Sequence, residues 1–259
     1  MGALSDRVAI VTGGGDGIGR ALVRAFAAAG ATVVVAEVDR ERGNEAAAEA
    51  GGRSMFVPTD VSVKAEVESV VAQAADRYGR LDILVNNAWG GGELSRVEHK
   101  SDALITAAMH VGFDGPRWAM QAAFPHMRAQ GWGRVINMVS LNGVNAHMGT
   151  LEYNCAKEAL RALTRTAARE WAPHGIVVNA IAPGAKSASF RRVMSTNPEL
   201  EAAADASNPM GRVGDPDLDI APVAVFLASE GARYVTGNTI FVDGGGHING
   251  VVWQPELPD

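Results

Sequence analysis

The chain has 259 residues, of which 47% are hydrophobic and 20% charged, with a net charge of −6 at pH 7. This length and composition are typical of one large globular domain with an ample core. The negative charge argues against nucleic acid or an anionic membrane as the main partner. A single cysteine excludes an intrachain disulfide and a cysteine-based zinc site. The first strand pattern begins at residue 7 and no apolar run reaches membrane-spanning length, so we expect a cytoplasmic protein outside the membrane.

A glycine-rich turn at residues 12–19 follows a short apolar strand pattern at 8–11 and precedes a helical pattern. Strand, glycine turn and helix together direct backbone N–H groups and a helix N-terminus at a phosphate. A second buried strand pattern, 32–36, then completes a β-α-β unit. The alternative is a glycine-rich turn without a ligand, since a lone glycine motif is a weak indication.

Two acids near this turn bear on the choice of dinucleotide. Glu37 stands at the end of the second strand, where a carboxylate can accept hydrogen bonds from both hydroxyls of an adenosine ribose. Asp16, inside the turn, adds a negative charge that would repel a 2′-phosphate. Together they predict NAD rather than NADP as the cofactor. The alternative is that Glu37 and Asp39 only stabilise the N-terminus of the next helix.

Strand and helix patterns alternate along the remaining chain, without a repeat or a linker, which predicts a single α/β domain spanning residues 1–259. We expect Ser62 to cap the helix that ends at Tyr78. The segment 185–214 is loop-rich, with weak helical pieces. The other predicted strands are 55–57, 83–85, 135–139, 176–180 and 239–242, and the other predicted helices are 40–50, 102–127, 153–171 and 219–227.

Ser140, Tyr153 and Lys157 suggest proton-transfer chemistry. Ser140 ends an apolar strand pattern, and Tyr153 and Lys157 lie on one face of the following helix, one turn apart. A phenol with a pKa near 10 is a poor acid or base at neutral pH unless its phenolate is stabilised. We expect the Lys157 ammonium to lower the pKa of Tyr153, and Ser140 to hold a substrate oxygen while Tyr153 exchanges its proton. An ordinary solvated helix pair is the alternative.

Taken in order, these motifs resemble those of the short-chain dehydrogenase/reductase family over nearly the whole chain. The resemblance implies a Rossmann-like, doubly wound domain with a seven-stranded parallel sheet and helices on both faces, assembled as a homotetramer. The motifs are the glycine turn at 12–19, Asp60-Val61, Asn86-Asn87-Ala88, Ser140, Tyr153 with Lys157, Asn179, Pro183-Gly184 and the ending at 242–245.

The resemblance also implies roles for individual residues. It makes Ser140, Tyr153 and Lys157 catalytic in hydride transfer between a carbinol carbon and a nicotinamide ring, with Lys157 also contacting the ribose. Asp60 and Val61 would contact the adenine. The cofactor set that we assign comprises Gly13, Asp16, Gly17, Ile18, Gly19, Glu37, Asp60, Val61, Asn87, Ala88, Tyr153, Lys157, Pro183, Gly184 and Lys186.

Three positions depart from the family pattern. Gly112 stands where members usually have a catalytic Asn at a helix kink, so proton relay would use another water or a side chain such as His110 or Asp114; alternatively the protein is a poor catalyst. Trp89 replaces the usual Gly after Asn-Asn-Ala, and we expect it to form a wall of the substrate cleft. Beyond Pro183-Gly184, Lys186 and Ala188 replace an apolar residue and a Thr.

Substrate recognition is predicted to involve the segment 185–214 as a mobile lid. Its apolar residues would suit a cyclic or steroid-like alcohol, whereas its arginines would pair a carboxylate or remain solvated. We expect Cys155 only to pack, and the tail 247–259, with Trp253, to contact another subunit. The lid residues concerned are Phe190, Arg191, Arg192, Val193, Met194 and Met210, with His147 and Met148 as further candidates.

The leading prediction is an NAD-dependent dehydrogenase or reductase of a small-molecule secondary alcohol or ketone, with no metal. A second reading is a 3-oxoacyl-carrier reductase, which Glu37 opposes because that chemistry usually uses NADPH. A third, from another class, is an NAD-binding protein with little turnover, motivated by Gly112 and Lys186.

Overall fold

The computed structural model describes residues 2–194 and 198–248, and in this part of the chain the strands form one seven-stranded parallel sheet. The strands are β1 (Val8–Thr12), β2 (Thr32–Glu37), β3 (Met55–Pro58), β4 (Ile83–Asn86), β5 (Gly133–Met138), β6 (Ile176–Pro183) and β7 (Thr239–Val242). Their order across the sheet is β3-β2-β1-β4-β5-β6-β7. Every pairing is parallel, which confirms the predicted α/β architecture.

Helices cover both faces of the sheet because alternate strand residues point to opposite sides and both sets are apolar. In β1, Ala9 and Val11 pack with the helices Gly17–Ala28 and Ala221–Ala228, while Val8 and Ile10 pack with Lys64–Tyr78, Gly115–Gln130 and Leu151–Trp171 on the other face. The helices are α1 (Gly17–Ala28), α2 (Arg40–Ala50), α3 (Lys64–Tyr78), α4 (Asp102–Met109), α5 (Gly115–Gln130), α6 (Leu141–Val144), α7 (Leu151–Trp171), α8 (Ala188–Met194), α9 (Pro198–Ser207) and α10 (Ala221–Ala228).

The predicted helix 102–127 is interrupted in the structure. A π-helical turn, His110–Asp114, separates α4 from α5, and Gly112 lies buried at its centre. A second π-helical turn, Pro216–Ile220, precedes α10 where a continuous helix was expected. The Ser62 prediction is wrong: its hydroxyl donates to Asp60 Oδ1 at 2.7 Å, and the residue at the N-cap of α3 is Val63.

The carboxyl ends of the parallel strands meet at one edge of the sheet, where ligands bind in open α/β folds. Thr12, Glu37, Asn86 and Pro183 end their strands at this edge, and Ser140 follows β5 closely. Most of the 247–259 tail, including Trp253, and the side chain of Val193 lie outside the described residues. In the described part of the chain, none of the helices combines the length and the apolar character needed to cross a bilayer.

Candidate active site

Ser140, Tyr153 and Lys157 come together at the carboxyl end of β5. Ser140 is the N-cap of α6 and is 8% exposed; its hydroxyl accepts from the Asn142 N–H at 3.1 Å and lies next to the half-buried Tyr153 phenol. Lys157 is 3% exposed, and its Nζ donates to the carbonyl oxygen of Met138 at 2.8 Å. The same Nζ lies 5.7 Å from the centre of the Tyr153 ring. A hydroxyl, a phenol and an ammonium therefore share one enclosed corner.

The predicted lowering of the Tyr153 pKa is wrong in direction. Burial raises the pKa of this phenol above 10.0, and the hydrogen bond from Ser140 offsets only part of that effect. Burial also lowers the pKa of Lys157 to about 8, because a charged ammonium loses hydration in this corner. Desolvation thus moves both pKa values, and Tyr153 is a protonated phenol at neutral pH.

The glycine turn is fastened to the sheet and cannot accept side chains at its key positions. Gly13 donates to Ala36 at 2.8 Å with a φ of 62°. A Cβ on Gly19 would lie 1.9 Å from the Gly13 carbonyl oxygen, so the helix start and the turn touch directly. Gly17 has a φ of 54°, a left-handed conformation that favours glycine. The turn and the N-terminus of α1 form the cradle that a pyrophosphate requires.

Asn87 and Ala88 follow β4 and lie against this turn. The Asn87 side chain donates to the carbonyl oxygens of Thr12 and Gly13 at 3.0 and 3.1 Å. The backbone N–H groups of Asn87 and Ala88 both donate to the Thr12 hydroxyl. Asn87 therefore holds the glycine turn in place, a structural role that the sequence pattern did not indicate.

The carboxylate of Glu37 lies beside the turn, as expected. It accepts hydrogen bonds from the backbone N–H groups of Gly15 at 3.0 Å and of Val38 at 2.9 Å. Asp16 caps α1 by accepting from Gly17, and it is paired with Arg42 at 3.2 Å and with Arg191 at 2.6 Å. Asp16 therefore does not add the uncompensated negative charge that we expected. Both arginines are distant in sequence from Asp16, so no local sequence pattern indicates these ion pairs.

Asp60 and Val61 follow β3, where the resemblance places the adenine contacts. Asp60 Oδ1 accepts from the Ser62 N–H at 2.9 Å and from its hydroxyl, so the carboxylate shapes the local turn. The carbonyl oxygen of Val61 approaches α5, because a Cβ on Gly115 would lie 2.5 Å from it. Contact with a cofactor at these two residues stays a prediction.

The start of segment 185–214 lies against the glycine turn. Gly184 donates to Val242 at 2.8 Å, and a Cβ on Gly17 would lie 2.8 Å from the backbone nitrogen of Ala188. Within segment 185–214, Lys186 Nζ pairs with Glu201 of α9 at 2.6 Å, and that this segment acts as a lid stays a prediction. The roles assigned to Ile18, Pro183, Gly184 and Lys186 stay predictions. Among the apolar candidates, Met210 and Met148 are 67% and 85% exposed.

A buried ion pair beside the site was also missed. Lys100 Nζ lies 2.7 Å from Glu152 Oε2, and the two side chains are 0% and 1% exposed. Glu152 immediately precedes Tyr153 in α7. The prediction for Cys155 is wrong, because this thiol is exposed. Within residues 2–194 and 198–248, no three or more His, Cys, Asp or Glu side chains cluster closely enough to bind a metal ion.

Comparison with known proteins gives matches along nearly the whole chain. A family model described as enoyl-(acyl carrier protein) reductase matches residues 13–247. Galactitol 2-dehydrogenase (L-tagatose-forming) of Cereibacter sphaeroides is 39% identical over 247 residues, covering 93% of this chain and 95% of the relative. The 2,5-dichloro-2,5-cyclohexadiene-1,4-diol dehydrogenase of Sphingobium indicum is 36% identical over 250 residues, covering 95% and 98%.

A solved structure extends this similarity to three dimensions. It is described as an NAD(P)-dependent gluconate 5-dehydrogenase from Beutenbergia cavernae, with NADP bound at low occupancy. The two folds agree with a TM-score of 0.88 at 34% identity, covering 95% of this chain and 98% of the other.

Proposed function

Because the chain belongs to the short-chain dehydrogenase/reductase family, we propose that it transfers a hydride between a nicotinamide dinucleotide and a secondary alcohol or its ketone. The observation that carries this proposal is that the Ser140 hydroxyl and the Tyr153 phenol lie together beside a buried Lys157. The glycine cradle supports a dinucleotide because Gly13, Gly17 and Gly19 leave room only for backbone at the N-terminus of α1.

The side chains divide the remaining chemistry among them. The nicotinamide ring, when bound, supplies or accepts the hydride. Tyr153 exchanges a proton with the substrate oxygen, and Ser140 donates a hydrogen bond that stabilises negative charge on that oxygen. Lys157 offers positive charge to the phenolate that Tyr153 forms. Because burial raises the Tyr153 pKa, the phenol is ready to donate at neutral pH, which favours reduction there and oxidation at higher pH.

The test is a panel of secondary alcohols and ketones with both nicotinamide cofactors, run in both directions. It includes polyols, cyclic diols and a 3-oxoacyl thioester, because the relatives act on the first two classes and the third tests the carrier-reductase alternative. Tyr153→Phe should lower kcat by at least about a thousandfold while cofactor binding persists. Tyr234→Phe is the matched control, since Tyr234 is 98% exposed.

Retained turnover in Tyr153→Phe would disprove the assigned role. Cofactor binding by the wild-type chain without turnover of any panel member would favour the alternative of a dinucleotide-binding protein. Either result is read from the same progress curves and from the fluorescence of bound reduced cofactor.

We further propose that the cofactor is NAD. Glu37 lies next to the glycine turn, where a carboxylate can accept from ribose hydroxyls and repels a 2′-phosphate. Arg42 and Arg191 nearby oppose that preference, so Glu37 alone carries it. Glu37→Ser should reduce the ratio of kcat/KM for NAD over NADP at least tenfold, whereas Glu41→Ser, on the exposed start of α2, should not. Comparable kcat/KM values of the wild type for NAD and NADP would refute the proposal.

The family resemblance also supports a homotetramer in the cytoplasm. The paired helices α5 and α7 expose a hollow lined by Phe124, Leu163 and Trp171, and the rings of Phe124 and Trp171 lie 4.8 Å apart. Arg117, Gln121 and Glu170 also line the hollow, and a surface that combines aromatic residues with an arginine is typical of subunit contacts. Light scattering coupled to size exclusion should give four times the mass of 27.0 kDa, and a monomeric mass would contradict it.

A further inference from the structure

The indole of Trp89 occupies space that a side chain at residue 112 would otherwise require. A Cβ built on Gly112 would lie 2.7 Å from Trp89 Cζ3 and 2.8 Å from the Cβ of Ala156. Real Cβ atoms do not approach neighbours so closely, so any side chain at residue 112 would collide with the indole in this position. The indole therefore packs directly against the glycine backbone. Gly112 lies at the centre of the π-helical turn between α4 and α5, and it is buried. Trp89 and Gly112 therefore form one complementary pair, the Trp89–Gly112 pair.

The same indole contacts both residues that handle the proton. Its ring meets the Tyr153 ring edge to face, with centroids 4.6 Å apart and an interplanar angle of 75°. Lys157 Nζ lies 5.3 Å from the indole centre, within the range of a cation–π interaction. Trp89 thus lies against Tyr153 and Lys157 on the side of Gly112, and the expectation that it forms a wall of the substrate cleft stays a prediction.

We propose that Trp89 is a positioning residue for the hydride-transfer reaction, fixing the Tyr153 ring and facing the Lys157 ammonium, and that Gly112 is the residue that admits the indole. This inference rests on the proposed function. The edge-to-face contact orients the phenol towards Ser140, because tilting the ring would break a favourable aromatic arrangement. The indole face also stabilises the Lys157 ammonium at a place where the surrounding protein strips its water.

Replacing the ring tests the aromatic contact separately from bulk. Trp89→Leu keeps an apolar side chain but removes the π face, and it should lower kcat about tenfold with little change in KM. Trp89→Phe restores a ring and should return kcat to within about threefold of the wild type. Rates are normalised to the number of cofactor sites measured by titration, so that misfolded protein does not count.

Trp132→Leu is the matched control. Trp132 stacks between Arg7 and Arg134, with guanidinium carbons 3.7 and 4.1 Å from its ring. It immediately precedes β5, whereas Ser140 follows the opposite, carboxyl end of that strand, so Trp132→Leu removes an indole and its cation–π contacts away from the site. We expect its normalised kcat to match that of the wild type.

Substitution at residue 112 tests the pairing. Gly112→Ala should lower kcat about tenfold in the wild-type background but only about threefold in the Trp89→Leu background, where the indole no longer opposes the added methyl group. Ala156→Gly removes the other side chain that the added methyl group would meet, and it should restore the remaining loss of kcat. If Gly112→Ala does not fold, the Leu and Phe variants still decide the proposal.

The outcomes separate this inference from the proposed function. If the wild type turns over a panel substrate and Tyr153→Phe does not, the proposed function stands. The inference is then overturned if Trp89→Leu retains full kcat, if the Leu and Phe variants are equally impaired, or if Gly112→Ala has the same effect in both backgrounds. If the wild type turns over nothing, the proposed function itself fails.

Discussion

Breaking the buried ion pair between Lys100 and Glu152 should destabilise the fold strongly, because one charge would stay buried without its partner. Lys100 precedes α4, and its ammonium lies 2.7 Å from the Glu152 carboxylate, with both side chains at most 1% exposed. The other carboxylate oxygen accepts from the Glu93 N–H at 3.0 Å, and Lys100 also donates to the Glu93 carbonyl oxygen. The pair thus fastens the loop after β4 to the first turn of α7.

Lys100→Met should destabilise the protein by about 3–5 kcal/mol, because it leaves a carboxylate buried with a single N–H donor. In a domain whose total stability is about 5–15 kcal/mol, such a loss lowers Tm by roughly 10 °C. The defect should shrink in acid. Burial alone would raise the pKa of Glu152, but Lys100 and the Glu93 N–H outweigh it and hold the pKa below 4.5. As the pH falls below 4.5, Glu152 becomes protonated and the wild type loses the stability that its interaction with Lys100 provides. The Lys100→Met variant lacks that interaction, so its stability falls less.

Urea denaturation followed by circular dichroism measures the loss. Lys64→Met is the control: Lys64 pairs with Glu68 at 3.6 Å with 58% and 53% exposure, and the pair should contribute less than about 1 kcal/mol. Adding Glu152→Gln to Lys100→Met should recover most of the stability, since no buried charge remains unpaired. The reasoning is refuted if Lys100→Met costs no more than Lys64→Met, or if the double variant is the weakest.

Two further variants test the charges around the site. Lys157 has a pKa of about 8 in the folded protein against 10.5 for the free side chain, so its burial costs most stability below pH 8 and least above pH 10.5. In urea denaturation, the free energy of unfolding of the wild type should therefore rise by about 2 kcal/mol relative to that of Lys157→Met between pH 7 and pH 9.5. A difference that does not change with pH would contradict this. Arg191 in α8 forms an ion pair with Asp16 at 2.6 Å, and the two side chains are 50% and 37% exposed. Arg191→Gln should therefore leave the urea midpoint nearly unchanged, while chymotrypsin cleaves segment 185–214 up to about fivefold faster. An unchanged cleavage rate would show that the ion pair does not restrain this segment.

The strands were predictable because each is a short apolar run bounded by glycine or a polar residue, and parallel strands buried on both faces need such runs. The helices were predictable as regions but not in detail. The π-helical turn at His110–Asp114 has the same apolar spacing as a helix, and its extra residue is visible only in the hydrogen bonds. Ser62 had the residue type of a cap, but its hydroxyl instead bonds Asp60, which closes a competing local turn.

That Ser140, Tyr153 and Lys157 come together was predictable from the sequence because they lie on adjoining elements with a fixed spacing; their part in proton transfer stays a prediction. Their pKa values could not be found that way. The direction of the Tyr153 shift depends on how deeply the phenol is buried, and burial is set by segments far away in the chain. The partners of Asp16 and Glu152 were missed for the same reason, since Arg191 and Lys100 reach them only in the folded protein.

The first two turns of α7 explain why these distant contacts converge. Residues 152, 153, 156 and 157 lie on one side of this stretch of helix and together meet three parts of the fold: Glu152 the loop after β4, Tyr153 the end of β5, and Ala156 the π-helical turn. Lys157 reaches the carbonyl oxygen of Met138 in β5. A helix held by all of these contacts cannot rotate without breaking a buried ion pair or a close contact. The phenol is therefore positioned by the scaffold before a substrate arrives, which is the arrangement that electrostatic stabilisation of a reacting oxygen requires.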